Sequence, residues 1–275
     1  IKVESCTTYR PDFLARSAIE ELPASERLHL LFSMYYSSIT LIKIIKLTGV
    51  HLGNWASGRG IELPQLNLWH GRVGPIAVVP TFDQLIQDIS RARARTVFFA
   101  HFLMPHYPYV YRADCTVRIP VSSWRLRHDK KPGSRPESRV RSYTQYFDQI
   151  QCVQKRLERL FETMKRSKTF NRATIVIHGD HGSRIALASP DAATITKLTP
   201  TDYADAYSTL FVVKSPDIRP GVDLRMLPLA ALMSYAQEKS EAPLSVAPSP
   251  TVFIDAGEPV LKSFPLPRFP ALPPQ

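Results

Sequence analysis

Cysteine is scarce in this sequence, with three residues, Cys6, Cys115 and Cys152, in a chain of 275. Three widely spaced cysteines exclude a zinc knuckle and a framework of several disulfides, and their number leaves the redox compartment open. A single disulfide is possible and would leave the third cysteine unpaired. Cys152 lies beside the apolar stripe of a predicted helix, so we interpret it as a buried thiol.

The sequence also lacks an apolar run of about 20 residues, the length needed to cross a membrane. The most apolar stretch, residues 27–50, contains Lys43, Lys46 and several serines, which favours a core or interfacial helix. No basic and apolar leader follows Ile1. We expect the chain to be a fragment or a processed product, so this absence carries little information.

Acidic residues are outnumbered, with 24 Asp and Glu against 35 Lys and Arg, and the net charge is +11. Such an excess indicates anionic partners, for example phospholipid surfaces or sulfated sugars, unless it only solubilises the surface. No nucleic-acid reading module is recognisable, so nucleic acid is not an expected partner. Much of the charge lies in residues 112–141, which we predict to be an irregular basic insertion that is either a lid or a solvated loop.

A short apolar run opens into a polar loop at residues 174–182, with the sequence TIVIHGDHG. The β-branched run predicts a strand covered on both faces, and the carboxyl end of such a strand is the favoured place for a site. Asp180 offers a carboxylate oxygen and His181 an imidazole nitrogen, a set that suits zinc or manganese more than calcium. His178 is a weaker candidate on the same side of the strand as Asp180. The alternative is a polar turn with exposed histidines.

A second apolar run, residues 96–109, has the sequence TVFFAHFLMPHYPY and contains His101 and His106. Two strands that end in histidines can converge only if they run parallel in one sheet and are joined by a helical crossover. Apolar side chains at spacings of three and four predict that crossover helix over residues 138–165.

The remaining elements follow from local patterns. We predict a helix from Thr81, with Thr81 as its N-cap, a strand over residues 207–214 and a helix over residues 224–236. Residues 183–206 alternate small and polar types and contain Pro190 and Pro200, and no element is predicted there. The Pro-rich tail, residues 246–275, is expected to be extended, either draped on the domain or disordered.

Together the two histidine motifs resemble the alkaline phosphatase superfamily, and within it the sulfatase-like hydrolases and lipid-A phosphoethanolamine transferases. The resemblance covers roughly residues 80–240. It implies that Asp180 and His181 bind a metal, that His106 contacts the substrate oxyanion, and that His101 assists either task. The expected fold is a three-layer α/β/α sandwich, alkaline phosphatase-like, with a mostly parallel sheet, spanning residues 1–245 and incomplete at its N-terminal side.

The resemblance implies a metal-dependent hydrolase or transferase acting on a sulfate or phosphate ester, for example by transfer of a phospho-alcohol group to a membrane glycan or lipid. The nucleophile is not identified. Cys6 begins a Cys-x-x-x-Arg spacing, but Thr8 stands where the sulfatase modification motif has proline. Thr7 and Thr8 have only their position before a predicted helix in their favour. We therefore expect the nucleophile and a metal-binding carboxylate upstream of Ile1.

The resemblance also implies a compartment. It indicates a bacterial membrane-associated protein whose domain lies on the periplasmic or extracytoplasmic side, with the membrane segment outside this chain. The alternative function is a non-catalytic remnant of the fold that binds anionic lipid or glycan through its basic surface and leaves the histidines unused.

Overall fold

The computed structural model describes residues 18–30, 74–124, 136–185, 194–222, 227, 229–238, 251–254 and 262–265. The chain divides into two compact units. The first comprises Ile1–Arg127 and Arg141–Thr163, and the second comprises His128–Val140 and Met164–Gln275.

The helix predicted from Thr81 is present in the first unit as α1 (Val78–Ser90), which continues from a 3-10 turn at Gly74–Ala77. It begins earlier than predicted, so Thr81 is not its N-cap. The Thr81 hydroxyl instead donates a hydrogen bond of 2.6 Å to the carbonyl of Ala77, one turn back. The buried side chains of α1 are all apolar: Val78, Val79, Phe82, Leu85 and Ile86.

The predicted crossover helix is confirmed as α2 (Pro136–Arg166). In the part of α2 that belongs to the first unit, the buried face is not the predicted apolar stripe throughout. Phe147 is 55% exposed, whereas the buried positions before Leu160 carry small or polar side chains: Ser142, Gln145, Gln149 and Cys152. This half of the helix packs partly on irregular backbone, which needs hydrogen-bonding partners as well as apolar contact.

The basic stretch predicted to be irregular is ordered up to Trp124. Tyr111 forms an antiparallel bridge with Val117, and a 3-10 turn follows at Val121–Ser123. Trp124 is buried and its indole N–H donates a hydrogen bond of 2.6 Å to the carbonyl of Arg118. This part of the predicted insertion therefore belongs to the core of the first unit, and residues 125–135 lie outside the described residues.

Cys115 and Cys152 form a disulfide across a sequence separation of 37 residues. Cys152 is buried, as predicted, but the prediction that it is a free thiol is wrong. Residues 111 to 117 fold back on themselves through their bridge, and this return brings Cys115 against α2.

Tyr111 is buried in the same core and donates its hydroxyl proton to the carbonyl of Ile76 over 2.5 Å. Burial raises the pKa of the Tyr111 phenol above its ordinary value, because the charged phenolate would lose its hydration. The phenol is therefore neutral at physiological pH.

The second unit contains β1 (Ile175–His178), α3 (Pro200–Tyr207) and β2 (Phe211–Lys214). The two strands pair antiparallel, with Ile175 opposite Lys214 and His178 opposite Phe211. The strand expected over residues 207–214 is thus shorter, because Tyr207 still belongs to α3. Within residues 183–206, where no element was predicted, residues 200–206 are helical.

β1 is not covered on both faces as predicted. Its burial alternates between half-buried and exposed, and Val176 is 36% exposed. In the described part of the chain, β1 has β2 as its sheet neighbour, and every strand pair there is antiparallel. A two-stranded antiparallel ribbon leaves much of its surface open, which accounts for the difference from a buried parallel strand.

Towards the C-terminus, α4 (Leu229–Glu238) lies mostly within the helix predicted over residues 224–236. The Pro-rich tail is not simply extended. It contains an antiparallel hairpin of β3 (Thr251–Ile254) and β4 (Lys262–Pro265), with Thr251 opposite Pro265.

Several predictions fall on parts of the chain that the structure does not describe. The candidates Cys6, Thr7 and Thr8 lie outside the described residues, and so does most of the apolar run 27–50. Residues 27–30 of that run are described and continue a helical stretch from residue 24. None of the helices within the described ranges combines the length and the apolar character that a membrane crossing requires.

Candidate metal centre and substrate-binding loop

The loop that follows β1 is held against the end of α3 and the residues that lead into β2 by backbone hydrogen bonds. The N–H of Gly179 donates to the carbonyl of Leu210 over 3.0 Å, and that of Gly182 donates to Ala206 over 2.9 Å. The N–H of Arg184 donates to Asp205 over 3.2 Å. The loop with the Asp-His pair is thus fixed at both ends.

Both glycines of this loop are needed for close approach. A β-carbon at Gly182 would lie 2.1 Å from the carbonyl oxygen of Asp205, and one at Gly179 would lie 2.1 Å from the hydroxyl oxygen of Thr209. Contacts below 3.0 Å force atoms to move. Gly182 meets backbone, which yields less readily than the side chain that faces Gly179.

Asp180 and His181 present their donor atoms side by side. The Nε2 atom of His181 lies 3.7 Å from Oδ2 of Asp180. The Nδ1 atom of His181 lies 2.7 Å from the carbonyl oxygen of Gly182. A carbonyl oxygen only accepts, so Nδ1 carries the proton and Nε2 carries the lone pair of the neutral ring, as in histidines that bind metals.

The separation of this pair is compatible with one shared ion. Two ligands of tetrahedral zinc, each at about 2.0–2.1 Å, lie roughly 3.3 Å apart. The measured 3.7 Å is therefore only a few tenths of an ångström wider. Asp180 is 75% exposed at its side chain and His181 is 22% exposed, so an ion can reach the pair from solvent.

His178 has different surroundings. Its ring stacks on Phe211, its partner in the ladder, with centroids 6.4 Å apart, and its Nδ1 lies 3.3 Å from the carbonyl oxygen of Gly179. Across the stretches that the structure describes, no group of three or more His, Cys, Asp or Glu side chains is arranged to hold a metal. Asp180 and His181 are therefore candidate ligands, and the described stretches do not add a third donor to the pair.

Ser183 and Asp205 support this loop, a role that no sequence pattern predicted. The Ser183 hydroxyl donates a short hydrogen bond to Oδ1 of Asp205, which lies on α3. A local signal for α3 was present, because Thr199 and Asp202 form a capping box around Pro200 at the first helical position. This signal was not used, so neither the helix nor the position of Asp205 was predicted.

His101 and His106 belong to the first unit, whereas His178, Asp180 and His181 belong to the second. The prediction of a strand ending at His101 is wrong, since residues 96–104 have no regular structure and Phe99 is 92% exposed. An apolar run becomes a strand only where a neighbour pairs with it, and none of the described strands does so here.

His106 is the more constrained of these two histidines. It is half-buried, and its ring stacks on that of Tyr107 with centroids 4.2 Å apart. Its Nδ1 lies 2.5 Å from the Tyr107 carbonyl oxygen, so the proton of the neutral ring is on Nδ1. His101 is exposed. Gln149, which no sequence pattern identified, has a buried amide that holds the backbone on both sides of His106.

The family model described as Sulfatase matches residues 33–246, a range that includes both histidine motifs. The match confirms the resemblance drawn from those motifs. This family has an alkaline phosphatase-like α/β fold, acts on sulfate or phosphate esters and is generally dependent on divalent metals. No curated protein and no solved structure matches the chain.

Proposed function

The chain belongs to the sulfatase family, and from that premise we propose that it is a metal-dependent hydrolase or transferase acting on a sulfate or phosphate ester. The observation that carries this proposal is the Asp180–His181 pair. Its donor atoms lie 3.7 Å apart, and the hydrogen bond from Nδ1 of His181 to Gly182 leaves Nε2 as the ligating atom.

Asp180 and His181 would hold the metal, with His178 as a weaker candidate. The mixed oxygen and nitrogen donors favour zinc or manganese, with calcium as the less suited third choice. When bound, the metal would lower the pKa of a hydroxyl nucleophile and offset negative charge on the ester oxygens. The nucleophile and a further carboxylate ligand are proposed to lie upstream of Ile1, as part of a three-layer domain completed there.

His106 is proposed to contact the ester oxygens. Its Nδ1 is already engaged with the carbonyl of Tyr107, so Nε2 is the atom that would face the substrate. In the protonated ring, Nε2 donates a hydrogen bond to an oxygen on which charge develops in the transition state. His101, which is exposed, is proposed to protonate the leaving group or to assist the metal.

The proposed substrate is an anionic small molecule, lipid or glycan that carries the ester, and transfer of a phospho-alcohol group to a membrane lipid or glycan uses the same groups as hydrolysis. The net charge of +11 supports an anionic partner. The disulfide between Cys115 and Cys152 supports an extracytoplasmic location in a bacterium, because disulfides persist in oxidising compartments. The membrane segment is proposed to lie outside this chain.

Metal content provides the direct test. The wild-type chain and the double variant with Asp180→Ala and His181→Ala would be loaded with zinc or manganese, dialysed and measured by elemental analysis. We expect bound metal in the wild type and its loss in the double variant, while His178→Ala retains most of it. Equal metal in the wild type and the double variant would refute the assignment.

Activity is measured next with nitrophenyl sulfate and nitrophenyl phosphate, on this chain and on a longer form that includes the residues encoded before Ile1. Hydrolysis by the longer form alone supports an upstream nucleophile. Hydrolysis that survives both the double variant and a chelator would contradict the metal-dependent proposal.

A second candidate is a non-catalytic remnant that binds anionic lipid or glycan. The net charge of +11 favours it, as does the lack of a third metal ligand in the part of the chain that the structure describes. Binding to vesicles of anionic lipid that weakens with salt and survives His181→Ala, without activity in the longer form, would establish this alternative.

A further inference from the structure

A single buried side chain, Gln149 of α2, makes hydrogen bonds to the backbone on both sides of His106. Its Oε1 accepts from the N–H of Val110 over 2.8 Å and from that of Tyr111 over 3.2 Å. Its Nε2 donates to the carbonyls of Pro105 and His106, each over 3.1 Å. A primary amide has two lone pairs and two N–H groups, so Gln149 uses its full capacity on this one loop.

The two carbonyls that Gln149 binds flank the His106 residue. One precedes its nitrogen and the other is its own. Fixing both peptide planes fixes the backbone dihedrals of His106, and the Pro105 ring further restricts the chain before it. The imidazole is also tied through Nδ1 to the carbonyl of Tyr107, which lies between the two pairs of residues that Gln149 binds. The direction of Nε2 therefore follows from a backbone that Gln149 holds.

Packing alone does not call for glutamine at this position. Gln149 is fully buried, with 0% exposure, and an apolar side chain of similar volume would fill the space without the cost of desolvating an amide. A polar group in a core that is fully hydrogen-bonded specifies one conformation of its partners. Its neighbours on α2 act on the same stretch, since Asp148 pairs with Arg118 over 2.6 Å and Cys152 is bonded to Cys115.

We propose that Gln149 is a positioning residue that sets the orientation of the His106 imidazole towards the oxygens of the ester. This inference rests on the proposed function for the role of His106, whereas the link between Gln149 and His106 rests on the hydrogen bonds alone. An experiment can therefore refute the control of His106 by Gln149 and the contact of His106 with substrate independently of each other.

The test compares Gln149→Met, which keeps the shape and removes all four hydrogen bonds, with Gln151→Met on the exposed side of the same helix. NMR signals of the His106 ring, assigned with His106→Gln, are recorded for the full chain during titration with inorganic phosphate and with inorganic sulfate. Each variant is measured at the same interval below its own unfolding temperature, so that lost stability does not enter the comparison.

We expect Gln149→Met to shift the His106 ring signals and to weaken phosphate binding by about tenfold, the effect of misplacing one hydrogen bond to a charged group. Gln151→Met should leave both unchanged. Unaltered His106 signals and an unaltered phosphate response in Gln149→Met would overturn the proposal and leave the proposed function standing. A second outcome separates the two claims. If the His106 signals shift in Gln149→Met, and the His106 signals of the wild type respond to neither anion, the link is confirmed and the substrate-contact role is refuted.

A measurement on the wild type covers the case in which Gln149→Met does not fold. Hydrogen exchange should be slow at the amides of Val110 and Tyr111, because both donate to the Gln149 side chain. Exchange at the rate of an unstructured peptide at these two amides would show that Gln149 does not hold the loop, and would overturn the proposal.

Discussion

Replacing Gly182 by alanine tests whether the segment behind the Asp180–His181 pair holds that pair in place. The added β-carbon would lie 2.1 Å from the carbonyl oxygen of Asp205, where contacts shorter than 3.0 Å are essentially never seen. The loop must therefore move by about 1 Å away from α3. That movement lengthens the hydrogen bonds from Gly182 to Ala206 and from Arg184 to Asp205.

The expected cost follows from these contacts. Overpacking against backbone costs about 1–3 kcal/mol, and weakening two backbone hydrogen bonds adds about 1 kcal/mol each. Because alanine has less conformational freedom than glycine in the unfolded chain, the substitution also stabilises the fold by about 0.4–1 kcal/mol. The free energy of unfolding should fall by roughly 2–4 kcal/mol, and metal bound by Asp180 and His181 should be lost with the loop geometry.

Two other glycines of the second unit serve as internal references. A β-carbon at Gly221 meets no atom within 4 Å, so Gly221→Ala should be neutral or slightly stabilising. The β-carbon of Gly179→Ala would lie 2.1 Å from the hydroxyl oxygen of the Thr209 side chain. It should cost about 1 kcal/mol, and Thr209→Ala should restore stability in the double variant.

The assay is urea unfolding followed by circular dichroism, together with the metal content of each variant. The predicted order of stability is Gly221→Ala, then Gly179→Ala, then Gly182→Ala. If the free energy of unfolding of Gly182→Ala lay within about 0.5 kcal/mol of that of Gly221→Ala and the variant kept its metal, the loop would not be held by the contacts described.

Three further outcomes are expected. Cys115 and Cys152 should resist alkylation until a reductant is added, as read by mass spectrometry, and reduction should cost about 3–4 kcal/mol in the chain-entropy account for a separation of 37 residues. Burial raises the pKa of Tyr111, so its contribution to stability is complete below about pH 10 and is lost as pH rises towards the folded pKa. The free energy of unfolding in urea should therefore fall less steeply above pH 10 for Tyr111→Phe than for the wild type. Thr199→Ala should cost about 1 kcal/mol by removing the cap of α3, whereas Thr201→Ala at an exposed position should not.

The helices were the most predictable part of the fold because their signal is local. Apolar residues at spacings of three and four placed α2 within two residues of its observed ends at Pro136 and Arg166. The same pattern failed to identify the buried face in the first half of α2. There the helix packs against irregular backbone between Pro105 and Tyr111, and a side chain that can hydrogen-bond, Gln149, is buried in preference to Phe147.

The strands were less predictable because pairing is not a property of the strand itself. The apolar composition of residues 96–100 and 175–178 indicated extended structure in both, yet only the second is a strand in the structure. β1 pairs with β2 in the antiparallel sense, and the hydrophobic pattern of either strand is compatible with both directions. A long-range partner decides direction and register, and a single run of residues does not contain that information.

The sequence identifies Asp180 and His181 as candidate donors by residue type alone, and the structure places their side-chain atoms 3.7 Å apart. Their supports were not predictable, because the contact of Gly182 with Asp205 joins backbone atoms of two separate segments and follows no sequence period. A related sequence that kept Asp-His but carried a β-branched residue at position 182 would retain both candidate donors and lose the close contact with α3 that positions their loop. If the pair binds metal as proposed, Gly182 should tolerate substitution as poorly as the two candidate donors that precede it.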